Sequence, residues 1–142
     1  MQQQLSAEGL KALVNDAHEI HDQEVFRIGD LAKEFGVTLR ALRFYEDRGL
    51  LEPKRSGSTR LYSLEDRQRL KLILLSKRVG FSLVEIQEIL SVHDSKNVTK
   101  DSIANILTKF QGQVSVLNEQ KLETDRALLE LSDAISYLED MS

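Results

Sequence analysis

Hydrophobic residues recur every three or four positions along most of this chain, and the breaks in that rhythm divide it into elements. Leu5, Leu10, Leu13, Val14 and Ile20 have near-helical spacing, so residues 1–24 read as an amphipathic extension. Ile28, Leu31, Ala32 and Phe35 form a tighter stripe closed by Gly36, which predicts a short helix over residues 28–35. Thr38 is a good N-cap for a second helix running to about Arg48. On it Leu39, Leu42 and Tyr45 are expected to face inward, while Arg40 and Arg43 share another face. Two helices joined by a glycine-containing turn make a helix-turn-helix pattern, which many unrelated folds also contain.

The rhythm changes after Gly49. Residues 53–60 are basic and carry Gly57, and Leu51 and Leu61-Tyr62 flank them as two short strands around a turn. The plain reading is a solvated loop. Its place directly after a helix of arginines and aromatics favours a basic β-hairpin wing. Ser63 then caps a third helix, with Glu65 and Asp66 in its first turn and Leu64, Leu70, Ile73, Leu74 and Lys77 carrying it toward Gly80. Ser82 and Glu85 have capping-box spacing and start a fourth helix that runs to about Val92. His93 falls in the polar break that follows and is expected to be a solvated loop residue.

From Lys100 to about Asp140 there is no proline, and Leu107, Phe110, Val114, Leu117, Lys121, Thr124, Leu128, Leu131, Ile135 and Leu138 alternate by three and four. Lys121 and Thr124 interrupt an otherwise apolar stripe. A helix of that extent is about 60 Å long, too long to bury its stripe against one small head. A coiled-coil partner is the economical solution, and a helix folded back on its own chain is the other.

Charge sharpens the picture. The net charge of −4 looks wrong for a nucleic-acid binder. Residues 25–80, however, hold 13 Lys and Arg against 7 Asp and Glu, and the rest holds 6 against 16. That is a basic head on an acidic frame, or a chance clustering of solvated charges. The absence of cysteine removes disulfides, thiolate metal sites and cysteine nucleophiles, and permits a reducing, cytoplasmic setting. No run approaches the roughly 18 apolar residues of a membrane helix. Met1-Gln2-Gln3-Gln4 lacks the basic start of a signal peptide, so none is expected. His18 and His21, with Asp22 or Glu24, have metal-compatible spacing on a helix, but no further ligand stands near, and a solvated helix end accounts for them. No metal, cofactor or enzymatic activity is expected: the chain shows no Ser/His/Asp order and no phosphate-cradling glycine loop.

Arg43-Phe44-Tyr45-Glu46 followed by Gly49-Leu50-Leu51 resembles the signature of the MerR family of bacterial transcription regulators. The likeness extends over residues 26–90, through Ile28-Gly29-Asp30-Leu31-Ala32, Arg60-x-Tyr62 and Gly80-Phe81-Ser82-Leu83. It implies a mainly α protein: a winged helix-turn-helix DNA-binding domain over residues 25–93, and a dimerisation helix over residues 98–142. The family pairs its long helices antiparallel, binds palindromic promoter operators as homodimers, and bends and untwists DNA for RNA polymerase. The resemblance places Arg40 and Arg43 in the major groove or on its phosphates, Tyr45 on the DNA backbone and Thr38 on phosphate at the helix start. It places Arg55 and Arg60 on flanking backbone from the wing, Tyr62 in support of the wing, and Lys77 on phosphate from the third helix.

Three departures bear on this. The wing looks shorter than in many relatives. The cysteines of metal-sensing members are missing, and the chain ends at Ser142 without a large drug-binding domain. Any effector site is therefore expected between head and long helix, where Phe81, Leu90, Phe110 and Tyr137 are bulky candidates whose plainer role is core packing. Residues 43–51 and 69–90 look like the subgroup regulating leucine and isovalerate degradation, for which an acyl thioester or branched acid is the natural effector. Effector, operator and sign of regulation stay open. An architectural or excisionase-like winged helix is the competing class, disfavoured by the long helix; a purely structural coiled coil leaves the basic wing unexplained.

Overall fold

The computed structural model describes residues 25–95 and 97–142. The amphipathic reading of residues 5–20 and the His18/His21 pairing fall outside the described residues. The described order is β1 (Val25–Arg27), α1 (Ile28–Phe35), α2 (Leu39–Asp47), β2 (Lys54–Ser56), β3 (Thr59–Ser63), α3 (Leu64–Arg78), α4 (Leu83–Asp94) and α5 (Lys100–Asp140). The described residues divide into two compact units, one ending at Ile103 and the other spanning residues 104–142.

In the first unit a three-stranded antiparallel sheet of order β1-β3-β2 carries the wing. Phe26 pairs with Tyr62, and Arg55 with Arg60. The pairing of Ser56 with Thr59 leaves a two-residue loop, Gly57-Ser58. Gly57 has φ +63°, the left-handed backbone that such a loop demands at its first central position and that glycine adopts without strain. The hairpin thus begins three residues beyond the Leu51 expected to begin it: Leu50 and Leu51 are buried in the core instead. β1 escaped sequence reading because three residues are too few to show a period.

The helices start where their caps dictate. Thr38 Oγ1 accepts from Ala41 N at 3.0 Å and opens α2. Ser63 and Asp66 form a reciprocal capping box for α3, and Ser82 and Glu85 form one for α4. Gly36, at φ +64°, closes α1 in the left-handed conformation, its N–H donating to Ala32 O. Leu31, Leu42, Tyr45, Tyr62, Leu70, Leu72, Ile73, Ile86 and Ile89 fill the core between sheet and helices.

Two expectations need correction. Leu39 does not face inward; it is 41% exposed at the first turn of α2, where the helix face is set by Leu42 and Tyr45. His93 is not a solvated loop residue either. α4 runs through Asp94, and His93 is buried in its last turn. The polar run after it hid two further helical residues.

The second unit is helical, made of the larger part of α5, which spans 41 residues. Leu107, Val114, Leu117, Leu128, Leu131, Ile135 and Leu138 are all exposed along it. With Phe110, Lys121 and Thr124 in its gaps, that row advances in alternating steps of three and four, a seven-residue repeat.

Candidate nucleic-acid interface

The second helix of a helix-turn-helix must offer one face to the core and the other to a ligand. In α2 Leu42 and Tyr45 anchor the first face. Arg40, Arg43, Phe44, Asp47 and Arg48 form the exposed one. Arg48 lies with its guanidinium carbon 5.1 Å from the Phe44 centroid, so a half-exposed aromatic ring and a cation form one outward pair. Four planar or cationic groups within nine residues suit phosphate oxygens and base edges, since arginine presents a rigid fork of donors.

The wing is fastened to this helix through one carboxylate. Glu46 accepts from Arg60 Nε at 2.6 Å and from an Arg55 terminal nitrogen at 3.1 Å. Both arginines thus turn toward α2, although to different degrees: the Arg60 side chain is 22% exposed and that of Arg55 is 50%. Glu46 belongs to the signature, yet sequence reasoning gave it no role, because helix spacing says nothing about a partner fourteen residues away.

Tyr45 and Tyr62 are both buried. Tyr45, expected on the DNA backbone, is 1% exposed and packs on the inner face of α2. Lys77 Nζ stands 5.6 Å from its ring centroid, which brings an exposed α3 cation against the base of α2. Tyr62 is fully buried, so it supports the wing from below and makes no outward contact. Burial pushes its phenol above the usual tyrosine range, and the nearby Glu46 carboxylate adds to the rise.

The remaining expected residues are outward. Arg40 and Arg43 lie on the exposed face of α2, Arg55 on the wing, and Thr38 at the helix start, where its hydroxyl is engaged in the cap. Phe44, Arg48 and Lys54 are exposed beside them and were not singled out by sequence, since neither periodicity nor motif separates an outward aromatic from a core one. Behind this surface Arg67 is buried, its Nε 3.1 Å from both Glu34 carboxylate oxygens and its guanidinium against Phe26 and Phe35. That contact fixes α1 to α3 and leaves Arg67 unavailable to DNA. Among the described residues no group of three or more acidic or histidine side chains is placed to hold a metal ion. Likewise no described helix is long and apolar enough to cross a membrane.

Comparison with known proteins decides the family. Residues 26–92 match the family described as MerR HTH family regulatory protein, and residues 67–134 match that described as MerR, DNA binding. The Escherichia coli K12 regulator ZntR is 33% identical over 117 residues, covering 78% of this chain and 80% of its own. This chain belongs to the MerR family of DNA-binding transcription regulators. Two MerR-family structures resemble it. One is a regulator from Bacillus cereus, with a TM-score of 0.64 and 29% identity over 77% of this chain and 78% of that one. The other is HiNmlR, described as lacking the sensor domain and solved bound to promoter DNA. Its TM-score is 0.59 at 27% identity, over 73% of this chain and 78% of that one. The MerR fold accounts for the winged head and for the long helix after it.

Proposed function

We propose that this MerR-family regulator binds a palindromic operator as a homodimer and distorts promoter DNA to control access by RNA polymerase. The observation that carries this is the exposed row of α2, Arg40, Arg43, Phe44 and Arg48, beside a wing bound to the same helix through Glu46. In each half-site α2 enters the major groove, and Arg55 and Lys77 lie on flanking phosphates. A two-fold operator follows from a two-fold protein. The bare heptad row of α5 supplies the seam, so the long helix is the dimerisation element. DNA deformation then follows from two heads held at fixed separation, with the contacts repaying the bend.

Effector chemistry is constrained by composition. Without cysteine a thiolate metal centre of the metal-sensing kind is ruled out for this sequence, whatever ions its relatives' names refer to. The stretches 43–51 and 69–90 support the finer assignment to regulators of leucine and isovalerate degradation, with a branched acyl compound as ligand. Of the four candidate lining residues, Phe81 and Leu90 are buried in the head and Tyr137 is exposed on α5. Anisotropy titration of the full chain against promoter DNA, with and without branched acyl thioesters, tests the reading. Operator-selective binding supports it; equal affinity for operator and random duplex contradicts it.

A further inference from the structure

Arg55 and Arg60 stand directly opposite each other in the antiparallel pair β2–β3. Two like charges in that relation repel and destabilise a short hairpin. This hairpin has only a three-residue strand on its outer side, and it is closed by a two-residue loop. Left alone, such a ribbon is marginal. Glu46 removes the difficulty by accepting from both arginines. The carboxylate comes from the last turn of α2, so neutralising the wing and fixing its angle to the recognition helix are one act. The arginines divide the work: Arg60, the less exposed, makes the shorter contact, and Arg55 keeps half of its surface outward.

We propose that Glu46 is a positioning residue for operator recognition: it latches the wing to α2 and thereby sets the fixed spacing at which helix and wing meet DNA together. This rests on the docking proposed above. An anion so near a phosphate-binding surface weakens attraction to any DNA. Its presence is explained if the rigid helix–wing geometry gains more at the matched site than the charge loses everywhere. The latch therefore trades general affinity for discrimination. It also assigns different tasks to the wing arginines, Arg60 to geometry and Arg55 to phosphate.

The test is Glu46→Gln, which keeps shape and volume and removes the charge. Affinity for operator and for a scrambled duplex of equal length is measured across a salt series. With the latch as proposed, operator affinity falls about tenfold while affinity for scrambled DNA holds or tightens, and the salt slope steepens by up to about one. A fall in both by one factor, or an unchanged ratio, overturns the proposal, because a loss of folding or no effect moves the two together. Amide exchange on the free full-length protein separates this from the docking. Faster exchange across residues 54–63, with α1 and α3 unchanged, upholds the latch even if the wild type fails to discriminate between the duplexes, which would sink the docking alone. Unchanged exchange in the wing overturns the latch.

Discussion

Arg69 donates from Nε and a terminal nitrogen to the backbone oxygen of Leu50, at 3.1 and 2.8 Å, while its guanidinium also pairs with the Asp94 carboxylate. One α3 side chain therefore ties the segment leaving the recognition helix to the last turn of α4. Arg69→Met keeps the apolar stem and removes the fork. Charged hydrogen bonds of this kind are worth about 1.5–3 kcal/mol, and the variant should lose about that much in urea denaturation. A midpoint equal to wild type would show that the fork contributes nothing.

Tyr62 predicts a pH dependence. Its hydroxyl is buried and has no hydrogen-bond partner among the described residues. Burial, then the Glu46 carboxylate, raises its pKa in the fold. Below about pH 10 the phenol is neutral in both folded and unfolded chains, so nothing is lost. Above that the unfolded chain releases the proton first, and stability falls as pH rises. Tyr62→Phe should flatten the alkaline limb of stability against pH. At neutral pH it should stabilise by about 1 kcal/mol, since an unpaired hydroxyl leaves the core. Circular dichroism during urea titration at pH 7 and above pH 10 checks both; an identical alkaline slope in the variant would contradict the assignment.

Arg43 and Arg55 should fail differently. Arg43→Ala removes an outward fork from the face of α2 and should cost about 1–3 kcal/mol at operator DNA, with relaxed preference at the base pairs it reads. Arg55→Ala should weaken all duplexes alike and reduce the salt slope by about one. Mobility-shift titrations at several salt concentrations distinguish the two patterns. Equal losses with equal slopes would mean that the two arginines make the same kind of contact.

Much of the scaffold was legible because it is written locally. Caps at Thr38, Ser63 and Ser82, the stop at Gly36 and the heptads of α5 are relations within a few residues, and each stands where spacing places it. Contacts distant in sequence were not legible. The Glu46 pair with Arg60 joins a helix to a strand across a turn, and the Arg67–Glu34 pair spans thirty-three residues. Burial of Tyr45, Tyr62 and His93 depends on which elements pack above them. Tyrosine and histidine are intermediate residues whose side is settled by tertiary packing, so helix spacing turns Tyr45 inward while the motif sets it on DNA, and the polar break leaves His93 in solvent.

Dimerisation should depend on the bare row of α5. Leu117→Glu together with Leu128→Glu places charges in the proposed seam, where desolvation without a partner is costly. Sedimentation should find a dimer for the wild type and a monomer for the double variant, with helical content of the head preserved. A wild-type monomer, or a variant of unchanged mass, would remove the seam from the account.

The most direct test lets the protein choose its own site. Full-length chain is used to select from a pool of randomised duplex DNA at about 0.15 M salt, where weak phosphate contacts are screened. Enrichment of an inverted repeat by the wild type, lost in Arg43→Ala, is the predicted result. No enrichment, or enrichment of a single unrepeated motif that Arg43→Ala selects equally well, would contradict a dimer that reads DNA through α2.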